Sequence, residues 1–185
     1  MYSVLIFAHL AVHLSAMIVV LNGNIASGKS AVASALAEHL QWPVLALDDF
    51  RRQHNASNTM DGEMESLRLL QIAIRNHANA IVEITSANAN WPRMLEAHPG
   101  PAVLVHIHCP ADECCARHHR RMERGYRLPP FPYRKRGAID DSIYELDTII
   151  GLMDHDLYYD STLDSADTIA AQLASDLHTF KMMYE

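Results

Sequence analysis

The chain has 185 residues, 49% of them hydrophobic, which suits one globular domain with a sizeable core and would be cramped for two. A formal net charge of -7 argues against a general nucleic-acid coat, which needs a basic surface. The three cysteines, Cys109, Cys114 and Cys115, are odd in number and two are adjacent, so they suggest no disulfide framework and fit a reducing cytosol.

Residues 1–16, MYSVLIFAHLAVHLSA, are apolar but lack a basic leading segment and fall short of the roughly 20 residues of a membrane span. They read as a dispensable extension or an early start site, with the domain proper over residues 17–185 and no membrane partner. From Met17 the run MIVVLN, to Asn22, is apolar and β-branched over the length of a strand. The stretch GNIASGKS follows: Gly23, Asn24, Ile25, Ala26, Ser27, Gly28, Lys29 and Ser30. It spells the phosphate-binding pattern G-x-x-x-x-G-K-[ST]. Glycines in such a loop let successive N–H groups and the start of the next helix converge on phosphate oxygens. Lys29 is expected to reach the β- and γ-phosphates of ATP, and the Ser30 hydroxyl to ligate Mg²⁺. The segment Ser30 to Leu40 carries apolar residues at helical spacing, so strand, loop and helix stand in the required order.

The alternation continues. Pro43 to Leu47 reads as a second strand, Glu63 to Ala78 as an amphipathic helix and Ala80 to Thr85 as a third strand. Ala102 to Cys109 follows as a fourth strand and Ala111 to Arg124 as a helix; Ile139 to Met153 is another helix, Leu157 to Ser161 a fifth strand, and a closing helix runs from about Ser165 to Phe180. This order predicts an α/β fold: a P-loop NTPase of three layers, α/β/α, with a mainly parallel five-stranded sheet and ligands at the carboxyl ends of its strands.

Polar residues just past each strand are therefore the candidates for chemistry. After the second strand, LDDFRRQHN offers Asp48 or Asp49 as an acceptor for a hydroxyl proton and Arg51 as a holder of an anionic group; a helix N-cap and a solvated arginine are the plainer alternative. Glu83 lies inside the aliphatic third strand, where an acid needs a partner. Mg²⁺ through water, a substrate hydroxyl or an arginine would each serve. Eight of the 15 Lys and Arg residues fall between Arg117 and Arg136. Arg117, Arg121 and Arg124 share one helical face, and the Pro-rich stretch Gly125 to Gly137 completes a predicted Arg-rich lid over about residues 111–137. His106, His108, His118 and His119 lie near the cysteines, but no metal-finger spacing appears, and they read as helix-surface histidines beside buried thiols.

These motifs resemble those of the small P-loop kinases that include the zeta toxins and the 5'-end polynucleotide kinases. DDFRRQH is similar to the zeta-toxin D-x-F-R-x-x-H and to the D-D-Y-R of the polynucleotide kinases. The resemblance implies that Asp48 is the catalytic base, Arg51 a substrate-side arginine, Glu83 a substrate or Mg²⁺ contact, and Arg117 and Arg121 a phosphate-contacting pair. YDSTLDSADTIAAQL resembles the last strand and adenine-side loop, around Thr162. The segments with which zeta toxins bind a nucleotide sugar have no evident counterpart, and Asn55 stands where their pattern has proline. The expectation is an ATP-dependent kinase acting on a hydroxyl of a small-molecule or nucleotide-like acceptor, with a 5'-hydroxyl nucleic-acid end among the candidates. A nucleotide-dependent switch is the alternative. The guanine-reading string N-K-x-D that would favour it is absent.

Overall fold

A computed structural model describes residues 16–53, 59–85, 96, 98–127 and 139–184. The expected N-terminal extension lies outside these residues except for Ala16, which is buried. Five strands, β1 (Met17–Asn22), β2 (Val44–Ala46), β3 (Asn79–Ile84), β4 (Ala102–His108) and β5 (Leu157–Asp160), pair in the order β2-β3-β1-β4-β5, and every pairing is parallel. Six helices connect and close them: α1 (Lys29–Leu40), α2 (Leu47–Gln53), α3 (Met60–Arg75), α4 (Ala111–Glu123), α5 (Ile139–Gly151) and α6 (Ala166–Tyr184).

The sequence explains why β1 is central. All six of its residues are buried, as expected of a strand covered on both faces. Met17, Val19 and Leu21 join Val32 and Leu36 of α1 and Ile169 and Leu173 of α6 in one core; Ile18 and Val20 join Leu67, Leu70 and Ile74 of α3 in the other. The period-two alternation of Cβ direction thus divides a continuous apolar run between two layers of helix.

The order in which strands are added reverses at β1, which has β3 on one side and β4 on the other, while all strands stay parallel. The crevice at such a switch point opens beyond the carboxyl ends of the strands. Here it receives the loop after β1, the start of α2 after β2 and the end of β3.

Two departures from the sequence reading shape the site. The second strand has only three residues, and Leu47 already begins α2, so the polar stretch after it is helical as far as Gln53. Leu47 is buried and Phe50, three residues on, packs on the same core; Asp48 and Asp49 occupy the first turn and Arg51 and Arg52 the last, matching the helix dipole. Helix α3 begins at Met60, earlier than expected, because the Thr59 hydroxyl accepts the Gly62 N–H at 3.2 Å as an N-cap. Of the predicted lid, residues 111–127 are described, and residues 128–138, with Arg134, lie outside the described residues.

Candidate active site

The loop from Gly23 to Ser30 joins β1 to α1. A Cβ on Gly23 would come within 2.5 Å of the Ile107 carbonyl oxygen, so only glycine passes there. Gly28, at φ 103°, precedes α1, whose first turn receives no side-chain cap, an arrangement in which leading N–H groups can meet an anion. Ala26 has φ 60°, a left-handed conformation that costs a non-glycine residue on the order of 1–3 kcal/mol and is typical of functional loops.

Lys29 is buried. Its Nζ donates to the carbonyl oxygens of Gly23 at 2.9 Å and Asn24 at 2.6 Å. Burial holds its pKa below the ordinary lysine value, Glu83 and Asp48 oppose that fall, and Arg121 adds to it. Ser30 Oγ donates to Glu83 Oε1 at 2.7 Å. The strand acid therefore has a hydroxyl partner rather than an arginine.

Asp48, in the first turn of α2, accepts a hydrogen bond on Oδ1 from Arg51 Nη1 at 2.7 Å. The resemblance placed Arg51 toward substrate, but the structure turns it inward. It is 5% exposed, its Nε donates to Glu63 Oε2 at 2.8 Å, and its Nη2 donates to Glu63 Oε1. Asp49 points elsewhere and pairs with Arg52, which also donates to the Tyr126 hydroxyl, both at 3.2 Å.

The two lid arginines part company. Arg117 Nη1 and Nη2 donate to Oγ and the carbonyl oxygen of Ser161, both at 3.0 Å, while Ser161 Oγ donates to the Ser27 carbonyl oxygen at 2.6 Å. Arg117 thus ties α4 and the turn after β5 to the phosphate-binding loop. Arg121, one turn further on, lines the pocket itself, with its guanidinium 6.0 Å from the Tyr126 ring centroid. Arg124 follows the end of α4 and is exposed. Thr162 is exposed, and its N–H and hydroxyl both donate to Asp160 Oδ1.

One polar pocket gathers the loop residues Ile25 to Ser30 with Asp48, Glu83, His118, Arg121 and Tyr126. Sequence reasoning missed two of these. His118 was taken for a helix-surface residue but is 4% exposed, on the same side of α4 as Cys114, four residues earlier, which the helical period would have revealed. Tyr126 was passed over as part of an irregular loop.

A phosphate-binding loop at the switch point of an all-parallel sheet, with a carboxylate, a strand-end acid and an arginine around it, defines a P-loop NTPase of kinase-like fold. A model of the AAA domain family matches residues 18–135, and the chain belongs to that family. No curated protein matches the sequence. Solved structures do match in fold. The shikimate kinase of Acinetobacter baumannii in complex with shikimate is 16% identical with a TM-score of 0.67, over 89% of this chain and 94% of that one. The APS kinase of Mycobacterium tuberculosis in complex with AMPPNP and APS is 19% identical at 0.64, over 89% and 98%. A gluconokinase of Sinorhizobium meliloti is 20% identical at 0.59, over 90% and 97%.

Proposed function

We propose that this protein is an ATP-dependent kinase that moves the γ-phosphoryl group of ATP to a hydroxyl of a small-molecule or nucleotide-like acceptor. The observation that carries the reading is the convergence of Lys29, Asp48, Glu83 and Arg121 on one pocket floored by the phosphate-binding loop. A simple nucleotide switch has no use for a half-exposed carboxylate held at that place. The fold neighbours named for shikimate, gluconate and APS favour a small polar acceptor.

The loop N–H groups from Ile25 to Ser30 cradle the phosphates, and Lys29 exchanges its two carbonyl partners for phosphate oxygens. Asp48 accepts the proton of the attacking hydroxyl, and Arg121 meets the charge that spreads over the moving group. The Ser30 hydroxyl and Glu83 carboxylate, hard oxygen donors 2.7 Å apart, fit Mg²⁺ and would hold it directly or through water, where it would supply neutralisation of phosphate charge. Arg117 supports this site from behind the loop. Arg121 and Tyr126, from the described part of the predicted lid, help to keep water from the moving group. The likeness to zeta toxins and polynucleotide kinases belongs to this proposal, and it covers the reaction better than the acceptor.

The test is incubation with γ-labelled ATP and a panel of nucleosides, gluconate, shikimate, APS, nucleotide sugars and 5'-hydroxyl oligonucleotides. Label is expected on one class of acceptor, and Lys29→Met is expected to lower that transfer at least about 100-fold. Release of label only as inorganic phosphate, across the whole panel, would make the protein an ATPase instead.

A further inference from the structure

The described residues contain one buried ion pair that the proposed reaction does not use. Arg51 and Glu63 are each 5% exposed. They come from different helices, α2 and α3, and meet through two parallel contacts, Nε to Oε2 at 2.8 Å and Nη2 to Oε1. A buried guanidinium needs such a partner, and the planar fork of Arg fits a carboxylate bidentately. The fork fixes the plane of the guanidinium and aims the remaining terminal nitrogen, Nη1, at Asp48 Oδ1, 2.7 Å away. Asp48, in contrast, is 41% exposed in its side chain and lines the pocket. A chain of hydrogen-bonded charged groups therefore runs from the core to the rim of the site.

We propose that Glu63 is a positioning residue: it holds Arg51 away from the acceptor so that Arg51 orients the Asp48 carboxylate, occupying Oδ1 and leaving Oδ2 for the acceptor hydroxyl. This rests on the reading of Asp48 as the proton acceptor. It reverses the role that sequence resemblance implied for Arg51. Without Glu63 the guanidinium still has Asp48 within reach, and it grips both of its oxygens or lets go of it. Either way the carboxylate leaves the attacking position, and a displacement of about 1 Å costs on the order of 100-fold in rate.

The test uses the full chain with Mg²⁺-ATP, following ADP release with water, gluconate, shikimate and a 5'-hydroxyl oligonucleotide as acceptors. Glu63→Gln is expected to lower kcat about 100-fold with little change in the KM for ATP. In an Asp48→Asn background the same substitution is expected to cost nothing further, because its effect passes through Asp48. Equal losses in both backgrounds, or a wild-type kcat in the single variant, overturn the inference. If Asp48→Asn itself turns over at the wild-type rate, the fault lies in the reading of Asp48. Should Glu63→Gln fail to fold, the double variant Arg51→Met, Glu63→Leu removes both charges and keeps the volume apolar; it too is expected to fold with a lowered kcat, and normal turnover would sink the proposal. A crystal structure of the folded variant gives an answer even without turnover. The inference requires the Asp48 carboxylate to have moved, and an unchanged Asp48 position in the absence of the Glu63 carboxylate refutes it.

Discussion

Ser30 and Glu83, 53 residues apart in the chain, share a hydrogen bond of 2.7 Å across the base of the pocket. The hydroxyl belongs to the first turn of α1 and the acid to the end of β3, so the bond joins the phosphate-binding loop to the neighbouring strand. Oxygen donors in that arrangement suit a hard divalent cation. Ser30→Ala is expected to raise the Mg²⁺ concentration for half-maximal ADP release by about 10-fold or more, and Glu83→Gln to do the same with a larger loss of kcat. A Mg²⁺ titration of each variant checks this. Superimposable curves would leave the pair a purely structural contact.

Asp48 and Asp49 are adjacent and chemically equal, yet the structure separates them. Asp48 lines the pocket on the arm of Arg51, whereas Asp49 is 60% exposed in its side chain and bound to Arg52. Asp48→Asn is expected to lower phosphoryl transfer by at least about 100-fold, the weight of a positioned general base. Asp49→Asn loses an exposed ion pair of small energetic value and is expected to stay near the wild-type rate. Nucleotide binding, followed by fluorescence or calorimetry, should survive both changes. The opposite ranking of the two rates would show that the wrong carboxylate has been chosen.

What could be read from the sequence, and what could not, follows from the range of the interactions. The phosphate-binding loop is local: glycine spacing, a strand before it and a helix after it lie within 24 residues, Met17 to Leu40, and the structure reproduces all three. Glu83 could be singled out because an acid in an aliphatic strand is anomalous by itself. The inward turn of Arg51 could not, because its partner Glu63 lies on another helix and nothing in either segment's pattern ties the two. Helix α2 was hidden by its length. Seven residues carry a single Leu47–Phe50 spacing, too little for a period to stand out against four charged neighbours. The residues after the second strand offer Asp48 and Asp49 alike, a family likeness favours Asp48, and only the fold shows its company.

A histidine cluster beneath the start of the loop makes the fold sensitive to acid. His106 stacks on His155, ring centroids 4.6 Å apart, and lies 5.6 Å from the His108 ring. Burial, helped by His155, His108 and Lys29, lowers the His106 pKa to about 4, and burial lowers that of His155 as well. The unfolded chain, with histidines near 6.5, binds these protons first, so stability falls as pH drops from about 6.5 toward 4 and gains nothing further from these groups above that window. His106→Gln should flatten the dependence of the urea midpoint on pH across that range. Its absolute stability also shifts with packing, so the slope is the quantity to compare, and a slope equal to wild type would remove His106 from the acid response.

Arg117 and Arg121 lie one turn apart on α4 and carry the same charge, but their surroundings assign them different work. Arg117 spends its guanidinium on Ser161 and, through it, on the Ser27 carbonyl of the loop. Arg121 lines the pocket together with Asp48 and Glu83, and its charge acts on Lys29. A guanidinium that meets developing charge strengthens its contact in the transition state, so Arg121→Ala is expected to lower kcat by about 100-fold or more while ATP binding weakens little. Removing Arg117 instead leaves the turn after β5 held to the loop by the Ser161–Ser27 hydrogen bond without the guanidinium that braces it; Arg117→Ala is expected mainly to weaken nucleotide binding, with faster hydrogen exchange at residues 27–30 and 161–163 and a smaller change in kcat. Ser161→Ala, which deletes the shared hydroxyl and no charge, should reproduce the Arg117 exchange pattern in milder form. Steady-state kinetics with calorimetric ATP titration separate the two roles, and equal kcat losses with unaltered exchange would return Arg117 to the phosphate-contacting pair that the sequence suggested.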